Sequence, residues 1–143
     1  MNVLVINGPN LNLLGTREPE IYGEETLDEL MMWLETNPIS TEHSFKFYQS
    51  NHEGEIIDTI HDERHWAHGI LINPGAFAHY SYAIRDAISA VKIPTVEVHI
   101  SDIHKREEFR QISVISQVCI HQVSGLGKDS YLKGLERLIK ISD

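Results

Sequence analysis

The stretch from Gly69 to Asp86, G-I-L-I-N-P-G-A-F-A-H-Y-S-Y-A-I-R-D, constrains the fold more than any other part of the chain. Ile70-Leu71-Ile72 is a short apolar run that stops at Asn73-Pro74-Gly75, after which Ile84, Ala87, Ile88 and Val91 recur with helical spacing. The pattern predicts strand, turn and helix. Pro74 has no amide to give to a ladder and Gly75 tolerates a sharp turn, so Asn73 falls where a buried strand opens into a loop. Ligands of open α/β sheets bind outside the carboxyl ends of the strands. Here that end carries Asn73, the backbone amides after it and His79 at a helix start, which together read as one wall of a site.

The rest of the chain repeats this alternation. Val3 to Ile6 is continuously apolar, as in a strand covered on both faces. It runs into a loop from Asn7 to Gly23 that is too long and too rich in Gly and Pro to be a plain connection. Thr26 and Glu29 form a capping box ahead of a stripe of Leu27, Leu30, Met31 and Leu34, a helix that ends near Asn37-Pro38. Phe45 to Ser50 alternates like a second strand, and a helix with Ile56, Ile57 and Ile60 inward follows it. Thr95 to His99 reads as strand four. Ser113 to Val123, β-branched and apolar, reads as strand five after an irregular crossing, and Lys128 to Ile141 as the closing helix. The order βαβαβαβαβα predicts an α/β fold, a five-stranded parallel sheet doubly wound with helices on both faces in flavodoxin-like order. Asn7, Ser50-Asn51, Asn73 and His99 to Ser101 each end an apolar run, so a parallel sheet brings them to one edge, the candidate site.

A chain of 143 residues is large enough for one domain with a real core, and residues 1–143 are read as that single domain. The lone cysteine, Cys119, allows neither a disulfide framework nor a thiolate zinc site and suits a reduced, cytoplasmic setting. The amino terminus lacks the basic head of a signal peptide, and no apolar run approaches membrane-spanning length. A formal charge of -9 argues against nucleic-acid binding, which rests on basic phosphate contacts. An anionic ligand would need local donors to hold it against that field.

Two tempting motifs fail. His61 and His65 have the i, i+4 spacing of zinc proteases, but Asp62 stands where the required glutamate would follow the first histidine; a solvated helix face is the better reading. Ser124 to Ser130 looks like a phosphate loop, yet Gln122 replaces its first glycine and Asp129 its magnesium-holding hydroxyl. Glu97 and His99 are stronger, since residues two apart on a strand share a face. A carboxylate beside an imidazole fixes its tautomer and favours the imidazolium, which nominates His99 as a proton donor. A hydrogen-bonded structural histidine is the competing reading. In the first loop, Arg17 is a permanent cation that can lower the pKa of a nearby phenol, so Tyr22 is a candidate base. A packing anchor or a lid residue is the alternative for such a tyrosine.

N-G-P-N-L-N-L-L-G-T-R-E-P-E-I-Y-G at 7 to 23, Q-S-N-H-E-G-E-I-I-D at 49 to 58, N-P-G-A-F-A-H-Y-S-Y-A-I-R-D-A-I at 73 to 88, V-E-V-H-I-S at 96 to 101 and R-E-E-F-R at 106 to 110 resemble the type II 3-dehydroquinate dehydratases, in order and register. The resemblance implies a flavodoxin-like catalytic domain assembled as a homododecamer, a tetramer of trimers. It also implies an anti elimination of water from 3-dehydroquinate through an enolate to give 3-dehydroshikimate, with neither metal nor cofactor. By that likeness Tyr22 is the base, Arg17 keeps its phenol ionised, and Asn10 helps hold a water at the enolate oxygen. His99 is the acid, supported by Glu97. Asn73, His79 and Arg110 contact substrate hydroxyls and carboxylate, Ile100 and Ser101 form the carboxylate cradle, and Asp86 reaches a neighbouring subunit's site.

The chain departs from the family pattern at Asp102, which adds a negative charge beside the cradle, at Gln111-Ile112, and at the bulky Tyr80 and Tyr82. These departures bear on affinity and packing. The resemblance implies a step of aromatic biosynthesis, and quinate breakdown, which uses the same reaction, stays open as the alternative. A non-catalytic module that binds a small carboxylate is the competing class, and it has no use for a paired base and acid.

Overall fold

The computed structural model describes every residue except Arg17, and for Ile21 and Tyr22 the backbone alone. Five strands, β1 (Asn2–Asn7), β2 (Ser44–Gln49), β3 (Gly69–Asn73), β4 (Thr95–His99) and β5 (His121–Ser124), form one parallel sheet in the order β2-β1-β3-β4-β5. That is the flavodoxin-like order. The helices are α1 (Pro19–Tyr22), a single turn, α2 (Leu27–Glu35), α3 (Glu53–Asp62), α4 (Tyr82–Val91) and α5 (Asp129–Ser142). No helix among the described residues is long and apolar enough to cross a membrane.

The period of two along β1 divides the core. Val3 and Val5 pack with Leu30 and Leu34 of α2 and Leu135 and Leu138 of α5, whereas Leu4 and Ile6 pack with Ile56 and Ile60 of α3 and Ile84 and Ile88 of α4. Helices therefore cover both faces, and the apolar runs of β1, β3 and β4 are buried almost throughout. Thr26 caps α2 by accepting from Glu29 N at 3.2 Å, as its sequence predicts.

Three expectations need correction. Strand five occupies only His121–Ser124; the stretch from 113 to 120 belongs to the crossing, whose regular pieces among the described residues are 3-10 turns at Ile103–Lys105, Glu108–Gln111 and Ser116–Val118. Its β-branched side chains fill the sheet's flank instead of a ladder: Ile115 is fully buried against the α3 and α4 layer. The fourth crossover is thus without an α-helix. His79 does not start a helix but ends the 3-10 turn Gly75–His79, and α4 begins three residues later at Tyr82, capped by Ser81, whose Oγ accepts from Ile84 N at 3.0 Å. Finally, α3 stops at Asp62, so His61 and His65 do not share one helical face.

Candidate active site

The strand ends meet as the parallel sheet requires. Asn7 lies opposite both Gln49 and Asn73 in register, and His99 lies opposite Ser124. Beyond them a cleft of about 90 Å³ is lined by Asn10, Asn73, His79, His99, Ile100, Ser101, Arg106 and Arg110 among others. Gly8 lets the two loops that carry Asn10 and Asn73 press together. Its amide donates to Asn73 O at 2.7 Å, and a Cβ there would stand 2.5 Å from Pro74 O. Asn10 sits in the left-handed region with φ 69°, its amide held by Asn51 Oδ1 at 2.9 Å.

Asn73 is fixed from beneath. Its Oδ1 accepts from Gly75 N at 3.2 Å, its Nδ2 donates to Tyr131 Oη at 2.9 Å, and that hydroxyl donates to Asn7 Oδ1 at 2.6 Å. Tyr131 comes from α5 and is wholly buried; burial pushes its phenol well above the ordinary tyrosine value, so it remains a neutral donor.

The pair read from the sequence is made: His99 Nε2 lies 2.6 Å from Glu97 Oε1, with Glu97 at 0% and His99 at 5% exposure. Ser113 Oγ donates to the same carboxylate, at 2.8 Å from Oε1 and 3.0 Å from Oε2. The His79 ring lies nearly parallel to that of His99, with centroids 6.4 Å apart, and meets Phe109 edge-on at 5.9 Å. His79 Nδ1 donates to Ile112 O at 2.8 Å. Burial depresses the proton affinity of His79, the Ile112 carbonyl opposes that in part, and the nearby His99 and Arg110 add to it. A neutral His79 with its Nδ1 proton engaged offers Nε2 as an acceptor.

Positive charge enters from the crossing. Arg110 pairs with Glu107 and lies over the Phe109 ring, its guanidinium carbon 4.7 Å from the centroid. Arg106 donates to Ser101 Oγ at 3.3 Å and approaches Glu18 Oε2 at 4.0 Å. Asp102, expected to burden the cradle, caps the turn Ile103–Lys105 by accepting from His104 N at 3.0 Å, and it does not line the cleft. The carbonyls of Ile100 and Ser101 accept from Gly127 N and Gly125 N, each at 3.1 Å, which ties the end of β4 to the loop before α5.

Of the residues nominated from sequence, Asn10, Asn73, His79, His99, Ile100, Ser101 and Arg110 line this one cleft, and Glu97 backs His99. Asp86 is exposed on α4 and does not line it. Arg17 and the Tyr22 side chain lie outside the described residues. Sequence reasoning passed over Ser113, Tyr131 and Arg106. Arg106 stood in a quoted motif without a role, Tyr131 reads as one more member of an apolar helix stripe, and nothing in the chain marks Ser113.

An amide and a neutral imidazole suit hydroxyl groups, and two guanidinia suit a carboxylate. The buried carboxylate and imidazole suit proton transfer to whatever they face. The cleft is equipped for a small polyhydroxylated acid.

Residues 1–139 match the family model for dehydroquinase class II. A 3-dehydroquinate dehydratase of Halothermothrix orenii is 53% identical over 139 residues, covering 97% of this chain and 94% of that protein. The enzyme of that name from Caldicellulosiruptor saccharolyticus is 55% identical over 142 residues, covering 97% of each. Among solved structures, the type II dehydroquinase of Butyrivibrio crossotus superposes with a TM-score of 0.94 at 49% identity, covering 97% of each chain.

Proposed function

The chain belongs to the class II dehydroquinase family, and on that premise we propose that it converts 3-dehydroquinate to 3-dehydroshikimate by anti elimination through an enolate. Tyr22, ionised by Arg17, takes the proton from the carbon beside the ketone. Charge develops on the ketone oxygen, where a water held by Asn10 donates; a good preorganised donor there lowers the barrier by about 3 kcal/mol. The enolate collapses to the enone as the carbon–oxygen bond to the ring hydroxyl breaks, and His99, held by Glu97, gives that hydroxyl its proton so that it leaves as water. Asn73 and His79 bind ring hydroxyls. Arg110, with the amides of Ile100 and Ser101 and the Ser101 hydroxyl, holds the carboxylate, which answers the charge problem of an acidic protein.

The reading extends to the whole molecule. Residues 1–143 act as one catalytic domain in the cytoplasm and assemble as a dodecamer, a tetramer of trimers in which Asp86 reaches a neighbouring subunit's site. The step serves the shikimate route to aromatic amino acids.

The observation that carries this proposal is the Glu97–His99 pair at 2.6 Å opening on a cleft that also holds Asn73, His79 and two arginines. The test is the rise in ultraviolet absorbance of the conjugated enone when 3-dehydroquinate is added in excess chelator, for the native protein beside Tyr22→Phe. Turnover by the native protein, reduced at least about 100-fold in the variant, is expected. Equal turnover by both would remove Tyr22 as the base, and binding without turnover by either would leave a carboxylate-binding module.

A further inference from the structure

The crossing between β4 and β5 returns to the site at two consecutive residues. Ile112 O takes the Nδ1 proton of His79 at 2.8 Å, and Ser113 Oγ meets both oxygens of Glu97, whose Oε1 holds His99 Nε2. One dipeptide therefore touches the supports of both imidazoles. The Ser113 hydroxyl has a single proton, and its oxygen is already an acceptor for Ser116 N at 3.1 Å and Ile115 N at 3.3 Å. Two amides on the lone pairs leave the O–H to point at the carboxylate.

Glu97 is wholly buried, and among the described residues its side-chain donors are His99 and Ser113 alone. A buried carboxylate oxygen without a donor is costly. Without the Ser113 hydroxyl, Oε2 loses its donor, and the carboxylate is driven to rotate toward another. That rotation releases the grip on His99 Nε2 and with it the aim of Nδ1, the ring nitrogen left for the cleft. The other groups facing the pair do not replace that donor: His79 is committed to Ile112, Arg110 to Glu107, and Cys119, kept as a neutral thiol by burial and the Glu97 charge, is a weak donor that makes no hydrogen bond to the carboxylate among the described residues.

We propose that Ser113 is a positioning residue that acts through Glu97 to hold His99 in its proton-donating orientation. Calling His99 the donor rests on the functional reading above; the hydrogen-bonded chain from Ser113 to Glu97 to His99 does not.

The test is a double-mutant cycle of Ser113→Ala, Glu97→Gln and the pair, with Ser113→Thr as the conservative variant, all followed by enone absorbance and by nitrogen-15 spectra of the histidine rings. Ser113→Ala should lower kcat by about 10- to 100-fold, the loss expected when a buried carboxylate is left short of one of its donors. KM should stay within about threefold, because a lost transition-state interaction appears in kcat. Ser113→Thr should restore most of kcat, and the double variant should be no slower than Glu97→Gln alone. The His99 Nε2 resonance should shift in Ser113→Ala and return in Ser113→Thr. If Ser113→Ala does not fold, Ser113→Cys, a weak donor of similar shape, is read in its place. Native kcat in the variant lacking the hydroxyl, or losses that simply multiply in the double variant, would overturn the proposal. If the native protein fails to turn over 3-dehydroquinate, the functional reading falls, and the ring spectra alone decide the role of Ser113: an unshifted Nε2 signal rejects it.

Discussion

His79 meets the cleft as a neutral imidazole because of what surrounds it. Burial disfavours the charged ring, the Ile112 carbonyl relieves this in part, the nearby His99 and Arg110 add to it and Glu97 opposes them, and the net effect is a lowered proton affinity. The ring thus holds its extra proton only below the usual 6.5. Protonation removes the Nε2 lone pair, so a substrate hydroxyl that donates to it loses its acceptor as the pH falls. The sign follows: the contribution of His79 to KM should be flat from pH 7.5 down to about 6.5 and should raise KM below that. His79→Gln keeps an acceptor that does not titrate in this range. It should show a higher KM at neutral pH, by about fivefold for a hydrogen bond that a flexible amide holds less well than the anchored ring, and a weaker rise on acidification. The measurement is KM against pH for both proteins; identical slopes below 6.5 would place the titration elsewhere. Asn73 shows the same economy at a second residue, since Tyr131 and the Gly75 amide settle which way its carboxamide faces before any ligand arrives.

Helix α5 carries Tyr131 to that position by packing directly on the sheet at Gly134. Gly134 makes the approach possible: a Cβ there would stand 2.5 Å from Leu71 Cδ1 and 2.7 Å from Val98 Cγ1. Alanine is the better helix former by about 1 kcal/mol, but overpacking a dense core costs about 1–3 kcal/mol, so packing should win. Gly134→Ala is expected to lower the thermal midpoint, and the displacement of α5 should raise KM through Asn73; a more stable variant with native KM would show that the contact relaxes freely. The apolar runs of β1, β3 and β4 are legible because strands buried on both faces must be apolar at every position, and their ends locate the cleft. The crossing from Ser101 to Ile120 is not. Its β-branched content mimics a strand, yet Ile115 anchors it as a plug beneath α4, and Ser113 spends its hydroxyl on a carboxylate sixteen residues away. Tyr131 and Asn7, 124 residues apart, meet only after the sheet closes. Contacts of that kind leave no periodicity to read.

At the scale of the whole molecule, Asp86 stands apart from the other nominated residues that are described: those line the cleft or, as Glu97 does, back it, whereas Asp86 is exposed on α4 and does not line it. Near it in sequence Tyr80 and Tyr82 are 59% and 64% exposed, and Phe109 and Ile112, which flank His79, are 58% and 69% exposed. Large apolar side chains gathered beside a site suit a surface that another subunit covers. The proposed role of Asp86 in a neighbouring subunit's site can be separated from a role in its own chain by complementation. A Tyr22→Phe subunit lacks the proposed base but keeps Asp86; an Asp86→Ala subunit keeps Tyr22. If Asp86 acts across an interface, an Asp86→Ala subunit seated beside a Tyr22→Phe subunit regains a complete site. Dissociating the two inactive variants in mild denaturant and reassembling them together should therefore restore activity, up to about a quarter of the native value for random pairing across each interface. The same two variants reassembled separately and then mixed should stay inactive. Activity in the co-assembled sample no greater than in the separately assembled one would confine Asp86 to its own chain, and the exposed aromatic face would then need another explanation.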